Sequence, residues 1–444
     1  MKRLLACFLI LVLTLGLFAG CNGRATLNGV PLKKYTIVYS ASAPDYCQRA
    51  AEYIQKEIES RTNVKLSVQE AASGSWEHEI VVGETDRAIS SKLNATTKDL
   101  EFAILADDNH IAMEGDYFII AAAAYFFVDT YITGKAFESD IPKEITVHEP
   151  IVKETENIIF LIGDGMGFNH TKLIGWDGIS HQYMTSDQES VFYGEYFPYK
   201  GKVHTDSLSG VTDSAAAATA LATGYKTING YVGLDENEQE VQSLTELAST
   251  LGMMTAVMST EAATGATPAG FSAHANNRNT SKVITASQAQ TVEKYGTIIN
   301  CSVGTNHPAF EKKITDTLSQ LDAAENGFFL MYEEAHIDKM SHDNNLASAC
   351  KMVLRFNQAI GLFMEYAFYH PGTLVLITAD HETGGLTIQD DGSFAYTQKD
   401  HTGQDVPIYA FGQGAEVFHG FEDENTTIPK IIAGWWGKND FGQQ

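Results

Sequence analysis

The chain is short of cysteine, short of basic residues for its length, and has no internal hydrophobic run long enough to span a bilayer. Each shortage excludes something. Of five cysteines, Cys7 and Cys21 belong to the N-terminal leader. Cys47, Cys301 and Cys350 remain, an odd and sparse set that describes no disulfide framework. They read as small buried apolar residues, with a Cys301 to Cys350 bridge left open. Their spacing matches no zinc-ribbon pattern, so any metal must be held by Asp, Glu and His. With 30 Lys and Arg against 56 Asp and Glu, the formal charge is −26. That balance disfavours nucleic acid, or an anionic bilayer surface, as the main partner, because both require basic patches. The apolar stretch Tyr117 to Val128, closed by Asp116 and Asp129, falls short of the roughly 20 residues a membrane span needs and reads as a buried helix.

What is present points to a globular, two-domain protein outside the cytoplasm. A length of 444 residues with 44% apolar side chains exceeds one ordinary domain and can bury two cores. Lys2 and Arg3 precede an apolar stretch from Leu4 to Ala19, too short for an ordinary span and flanked like a signal peptide. It ends in Leu17-Phe18-Ala19-Gly20-Cys21, similar to the bacterial lipoprotein signal. That similarity implies lipidation of Cys21, residues 1–23 as signal and lipobox, and attachment to a membrane on the cell-surface or periplasmic side. Residues 24–150 alternate strand-like runs, Tyr35 to Tyr39 and Glu79 to Val82, with helix-like stretches such as Asp45 to Ser60. They read as a small α/β accessory domain with no nucleophile or metal-ligand constellation. The Ile80 to Thr85 run and the closing helix make this segment similar to accessory domains of some bacterial carbohydrate-active enzymes, but no sugar binding is assigned.

Residues 151–444 carry the chemistry. Three apolar runs of the kind found in strands buried on both faces end directly in carboxylates. Ile158 to Ile162 leads to Asp164, Phe328 to Met331 leads to Glu333, and Leu374 to Ile377 leads to Asp380-His381. In an open parallel sheet the crevice beyond the carboxyl ends of the strands binds ligands, so these residues should converge. Asp338 and His342, four apart on a helical turn just past Glu333, face one way and can grip a single cation. In Thr212-Asp213-Ser214-Ala215, followed by an alanine run, Thr212 or Asp213 can cap a helix that starts at Ser214. The positive end of that helix suits a phosphoryl group.

These blocks resemble one family. Gly163-Asp164-Gly165-Met166-Gly167, Thr212-Asp213-Ser214-Ala215, Ala266-Thr267-Pro268 with Arg278, Glu333 with Asp338 and His342, Thr378-Ala379-Asp380-His381, and His401-Thr402-Gly403 are similar to the alkaline phosphatases, in the family's order. The resemblance implies a three-layer α/β/α fold with a mostly parallel sheet, and hydrolysis of small phosphate monoesters through a phosphoserine at Ser214. It further implies one Zn2+ on Asp338, His342 and His401, and a second on Asp164, Asp380 and His381. A third ion, usually Mg2+, would use Asp164, Thr267 and Glu333. Ligand chemistry agrees, since zinc takes imidazole with carboxylate and magnesium takes oxygen alone. Arg278 would clamp two phosphate oxygens with its planar fork, and Lys339 would meet phosphate through water.

The sequence departs from the family in two places. Gly265 stands where members carry an Asp or His near the third ion, which touches the identity and occupancy of that ion but not the zinc pair. Only 19 residues separate His381 from His401, leaving little room for the insertion many relatives carry there. A more open site follows, and the oligomeric state, a homodimer included, is left open. Phosphodiesterases and sulfatases of related fold, a binding protein with a dead site, and a structural surface lipoprotein are the rival readings. The full Thr267, Glu333 and Arg278 set favours monoesters among them.

Overall fold

The structure is a computed structural model that describes residues 24–40, 45–93, 99–175, 191–303 and 307–443. The leader and the lipidation candidate Cys21 lie outside the described residues. The chain divides into two compact units, Met1–Ile151 and Val152–Gln444.

The larger sheet of the first unit and its two α-helices are built from β1 (Tyr35–Tyr39), α1 (Tyr46–Thr62), β2 (Ser67–Glu70), β3 (His78–Val82), β4 (Phe102–Ala106), β5 (His110–Glu114), α2 (Ile119–Tyr131) and β6 (Thr146–His148). A separate small sheet joins Val30–Pro31, Ala25–Leu27 and Phe137–Ser139, and the strand order in the larger one is β2-β1-β3-β5-β4-β6. Its first four strands are parallel, and β4 runs antiparallel to both neighbours. Helix α1 buries Ala50, Ala51, Ile54 and Ile58, an apolar stripe at helical spacing. It stops at Asn63, whose φ of 62° is the left-handed turn that ends many helices. Helix α2 is apolar almost all round and correspondingly buried. Among the described residues no helix is long and apolar enough to cross a membrane.

The second unit holds an eight-stranded sheet. Its strands are β7 (Asn157–Gly163), β8 (Tyr199–His204), β9 (Met254–Ser259), β10 (Ile298–Cys301), β11 (Phe328–Glu334), β12 (Thr373–Thr378), β13 (Val406–Phe411) and β14 (Glu422–Glu424), ordered β10-β9-β11-β7-β12-β13-β8-β14. The five strands from β10 to β12 are mutually parallel, and β13 runs against both of its neighbours. Every residue of β11 and β12 is buried, so the sheet must be covered on both faces. The aromatic contacts show by what. From β11, Tyr332 packs on Phe356 and Phe363 of the long helix Leu346–Tyr369, while Phe329 points the other way onto Phe271 and Trp436. Alternation along one strand thus creates the three α/β/α layers. Of the three cysteines expected to be buried, Cys47 and Cys350 are, Cys301 is half-buried, and all three are free thiols.

Register lines up the strand ends. Ile162 of β7 lies opposite both Glu333 of β11 and Thr378 of β12, and Ser259 of β9 also lies opposite Glu333. The chain leaves β7 through a turn that only glycine suits. Gly165 has a φ of 77°, and a Cβ there would lie 2.7 Å from Asp338 Cα and 2.9 Å from Thr383 Oγ1. That close approach lets Asp338 N donate to the Asp164 carbonyl at 2.9 Å and Thr383 N to the Gly165 carbonyl at 3.2 Å. Gly165→Ala should therefore destabilise the protein by roughly 1 to 3 kcal/mol, from the disfavoured backbone angle and the displaced neighbours. Denaturant unfolding measures this, and a wild-type midpoint would contradict the packing.

Candidate active site

Ser214 opens α3 (Ser214–Thr223), a helix in which every residue is buried. Of the two candidate caps, Asp213 does the work, accepting from Ala216 N at 3.0 Å. The helix closes on Gly224 with a φ of 78°. The Ser214 hydroxyl is almost fully buried and lies 3.2 Å from His381 Nε2.

Helix α4 spans Ala266–Gly270, and Asp338 and His342 sit on α5 (His336–His342). His401 arrives on a short ladder that pairs Glu382–Thr383 with His401–Thr402. His342 Nδ1 hydrogen-bonds the Lys399 carbonyl, and His401 Nδ1 lies 2.8 Å from the Thr212 carbonyl. A ring nitrogen facing a carbonyl must carry the proton, so each neutral ring presents Nε2 as a lone pair. Those two Nε2 atoms stand 3.2 Å apart, with Asp338 Oδ1 at 3.2 Å from one and 3.5 Å from the other. Three electron-rich atoms so placed call for a cation or for protons. The pKa directions express the same demand. His342 is raised by its hydrogen bond to Asp338; His401, which burial alone would lower, is raised by Asp338 and the Thr212 carbonyl. Asp338 is held well below the carboxylate range: burial opposes this, but hydrogen bonds to His342 and His401 outweigh it.

A second constellation lies beside Ser214. Asp164, Asp380 and His381 place ligand atoms within 4.8 Å of one another, as do Asp338, His381 and His401. His381 Nε2 is 3.2 Å from Asp380 Oδ2 and 3.6 Å from Asp164 Oδ1. Burial pushes His381 down to about 3 and Asp380 up to about 6, and raises Asp164 with help from the Asp380 charge. Asp380 Oδ1 accepts from Gly165 N and His381 N at 3.0 and 2.9 Å, while Oδ2 makes no hydrogen bond.

The oxygen set expected for a third ion is equally buried. Thr267 lies on the short helix α4 and Glu333 at the end of β11, both with no exposed surface. Asp164 Oδ1, Thr267 Oγ1 and Glu333 Oε1 are buried without hydrogen-bond partners. Thr267 is close enough to Glu333 to lower its carboxyl pKa, yet its hydroxyl makes no well-formed hydrogen bond. Burial and the Glu261 charge more than offset this and hold Glu333 well above its ordinary range. Unpartnered buried polar atoms are uncommon in proteins, and these three fall on the three residues that the family resemblance assigns to one ion.

Arg278 is a half-buried side chain whose Nη1 lies 3.1 Å from Asp213 Oδ2. Against burial, which lowers its pKa, the charges of Asp213, Asp164 and Asp380 raise it, so its guanidinium stands in the field of the site carboxylates. Lys339 is engaged by a residue the sequence did not single out: its Nζ lies 2.6 Å from Glu261 Oε2. One further residue, Thr383, and one further role, that of Asp213 toward Arg278, escaped sequence reasoning. Thr383 donates from Oγ1 to Asp338 Oδ1 at 2.6 Å and lies 3.2 Å from His381 Nδ1, joining the two constellations. Asp213 both caps α3 and orients Arg278. The capping position was readable; the ion pair, 65 residues away in sequence, was not.

Comparison with known proteins agrees with this geometry. The alkaline phosphatase family model matches residues 155–306 and 298–397, more than half of the chain. Alkaline phosphatase 3 of Bacillus subtilis is 27% identical over 297 residues, covering 54% of this chain and 64% of that protein. Alkaline phosphatase 4 of the same organism is 25% identical over 412 residues, covering 63% of this chain and 89% of that protein. Among solved structures, the alkaline phosphatase of the Antarctic bacterium TAB5 superposes with a TM-score of 0.56 at 25% identity, over 65% of this chain and all of that one. A variant of that enzyme is described with Mg bound in the M3 site. The strand-end carboxylates, the serine at its helix start and the family match together show that this chain belongs to the alkaline phosphatase family.

Proposed function

We propose that the chain hydrolyses phosphate monoesters through a phosphoserine at Ser214, with two zinc ions and one magnesium ion around it. The observation that carries this reading is the Ser214 hydroxyl, buried 3.2 Å from His381 Nε2, whose side chain belongs to both ligand clusters. Asp338, His342 and His401 fit one zinc, and Asp164, Asp380 and His381 the other, as borderline zinc takes imidazole and carboxylate. The all-oxygen set Asp164, Thr267 and Glu333 fits magnesium, and the relative with Mg in its M3 site supports that choice. When bound, these ions supply charge to stabilise the attacking and departing oxygens and to lower the pKa of an oxygen nucleophile.

The chain's own groups do the rest. Arg278, held by Asp213, offers a planar fork of N–H donors to two phosphoryl oxygens, fixing the phosphorus before the serine. Ser214 Oγ gives up its proton and forms a bond to phosphorus, while the bond from phosphorus to the ester oxygen breaks and the alcohol leaves with the bonding pair and a proton from water. Water then attacks phosphorus, the Ser214 Oγ bond breaks, and the serine recovers a proton as inorganic phosphate departs. Charge on the phosphoryl oxygens is the main catalytic problem in this reaction, which is why cationic groups crowd the site. Lys339, near the same carboxylates, adds positive charge on the phosphate side.

On this reading lipid on Cys21 anchors the enzyme to a bacterial membrane, on the cell-surface or periplasmic side. Cys21→Ser should move the protein from the membrane to the soluble fraction; unchanged fractionation with an unprocessed mass would contradict it.

Chelation should abolish hydrolysis of an aryl phosphate monoester, zinc should restore it, and magnesium should add a smaller increment. Full activity in a verified metal-free sample would overturn the reading, as would faster turnover of matched diesters or sulfates. Stability should move with pH as well. Asp164, Asp380 and Glu333 have raised carboxyl pKa values and His342 and His401 raised imidazole values. The stability each contributes is present below its ordinary pKa and is lost as pH rises through the raised one. His381 and His170, both lowered to about 3, are neutral in both states above about pH 6.5 and drop out there. Asp380, at about 6, has given up its contribution by then, so the melting-temperature gap between metal-loaded and metal-free protein should widen as pH rises above about 6.5, where His342 and His401 lose their protons; a gap that narrows would contradict the assignment.

A further inference from the structure

The third ion position lacks a side chain at Gly265, which contributes backbone alone to the start of α4. The space that a side chain there would enter is taken. A Cβ built on Gly265 would fall 1.8 Å from Glu261 Oε1 and 2.2 Å from its Cδ. The carboxylate of Glu261 thus stands where a residue at 265 would begin. We propose that Glu261 supplies this carboxylate to the oxygen-lined third position, in place of a side chain at 265, and acts there as a ligand for a hard divalent cation. The inference rests on the three-ion reading above and names a residue that reading does not include.

Four observations support it. The Glu261 side chain is 18% exposed, so its charge is largely shielded from water and needs local compensation. Lys339 binds Oε2 at 2.6 Å, which leaves Oε1 on the Gly265 side. The turn that carries Glu261 is fastened to the same site: its backbone N donates to Ser259 Oγ at 3.0 Å, and the Ser259 hydroxyl in turn donates to Glu333 Oε2. Ser302 N donates to the Glu261 carbonyl at 2.6 Å, pinning the turn from the other side. Glu261 also lies within electrostatic reach of both Asp164 and Glu333. One lysine beside three carboxylates leaves negative charge in excess. Hard cations take six or more oxygens, and the unpartnered Asp164 Oδ1, Glu333 Oε1 and Thr267 Oγ1 are too few without a further donor and water.

The test measures magnesium affinity by equilibrium dialysis on full-length protein with zinc loaded, and counts zinc in the same samples. Glu261→Ala should weaken magnesium binding by at least about 10- to 100-fold, the loss that removing even an outer-shell partner of a metal ligand brings, with zinc content unchanged. Glu261→Ala combined with Gly265→Asp, which returns a carboxylate to the vacated space, should recover much of the affinity. Glu261→Ala combined with Lys339→Met separates a ligand from a mere counter-charge for Lys339. Affinity that stays weak in this double variant supports the ligand role, and full recovery overturns it. Unchanged magnesium affinity in Glu261→Ala overturns the inference alone, whereas a wild-type chain that binds no magnesium overturns the three-ion reading with it.

Discussion

Four carboxylates buried at one sheet edge are the constraint on which the catalytic unit depends. Asp164, Glu333, Asp338 and Asp380 are all buried, and water is not available to stabilise their charges. A buried carboxylate must be paired, protonated or bound to metal. Asp338 is paired with two histidines; the other three have raised pKa values and keep oxygens without partners. Removing one charge would be simpler for stability, so their joint retention is the mark of an ion site rather than of a scaffold. Function and instability share the same residues here.

The sheet makes this concentration geometrically cheap. Parallel strands β9, β11, β7 and β12 end in register, so residues distant in sequence reach one crevice without any long loop. Gly165 then lets α5 approach within backbone contact, and Thr383 ties Asp338 to the His381 ring. Serine enters on a capped helix of small residues that can pack deep in the unit. Ser214, Thr267, Glu333, Asp338, His342 and His401 sit in helices or strands, while Asp164, Asp380 and His381 lie in the turns directly after their strands and Arg278 in a turn of its own, so most charges are held on or next to rigid elements.

Much of this was legible in the sequence because the signals were local. Apolar runs closing on Asp164, Glu333 and Asp380-His381 declared strands buried on both faces, and the four-residue spacing of Asp338 and His342 declared a shared helix face. The Asp213-Ser214-Ala215 start of an alanine helix was equally local. What stayed hidden depends on tertiary approach. Arg278 meets Asp213, Lys339 meets Glu261, and Thr383 meets Asp338 across 65, 78 and 45 residues, distances over which no periodicity runs. Gly265 was visible as a missing side chain, but nothing in sequence showed that Glu261, four residues earlier, fills the space. The half-buried position of Cys301 likewise follows from its place on the edge strand β10, which a composition argument cannot see.

The central claim is that Ser214 receives the phosphoryl group. Incubating metal-loaded wild-type protein with inorganic phosphate at acid pH, quenching, digesting and mapping the modified peptide by mass spectrometry tests it most directly. Phosphate on Ser214, absent from a Ser214→Ala control, is the predicted result. Phosphate on another residue, or wild-type turnover by Ser214→Ala, would contradict the account.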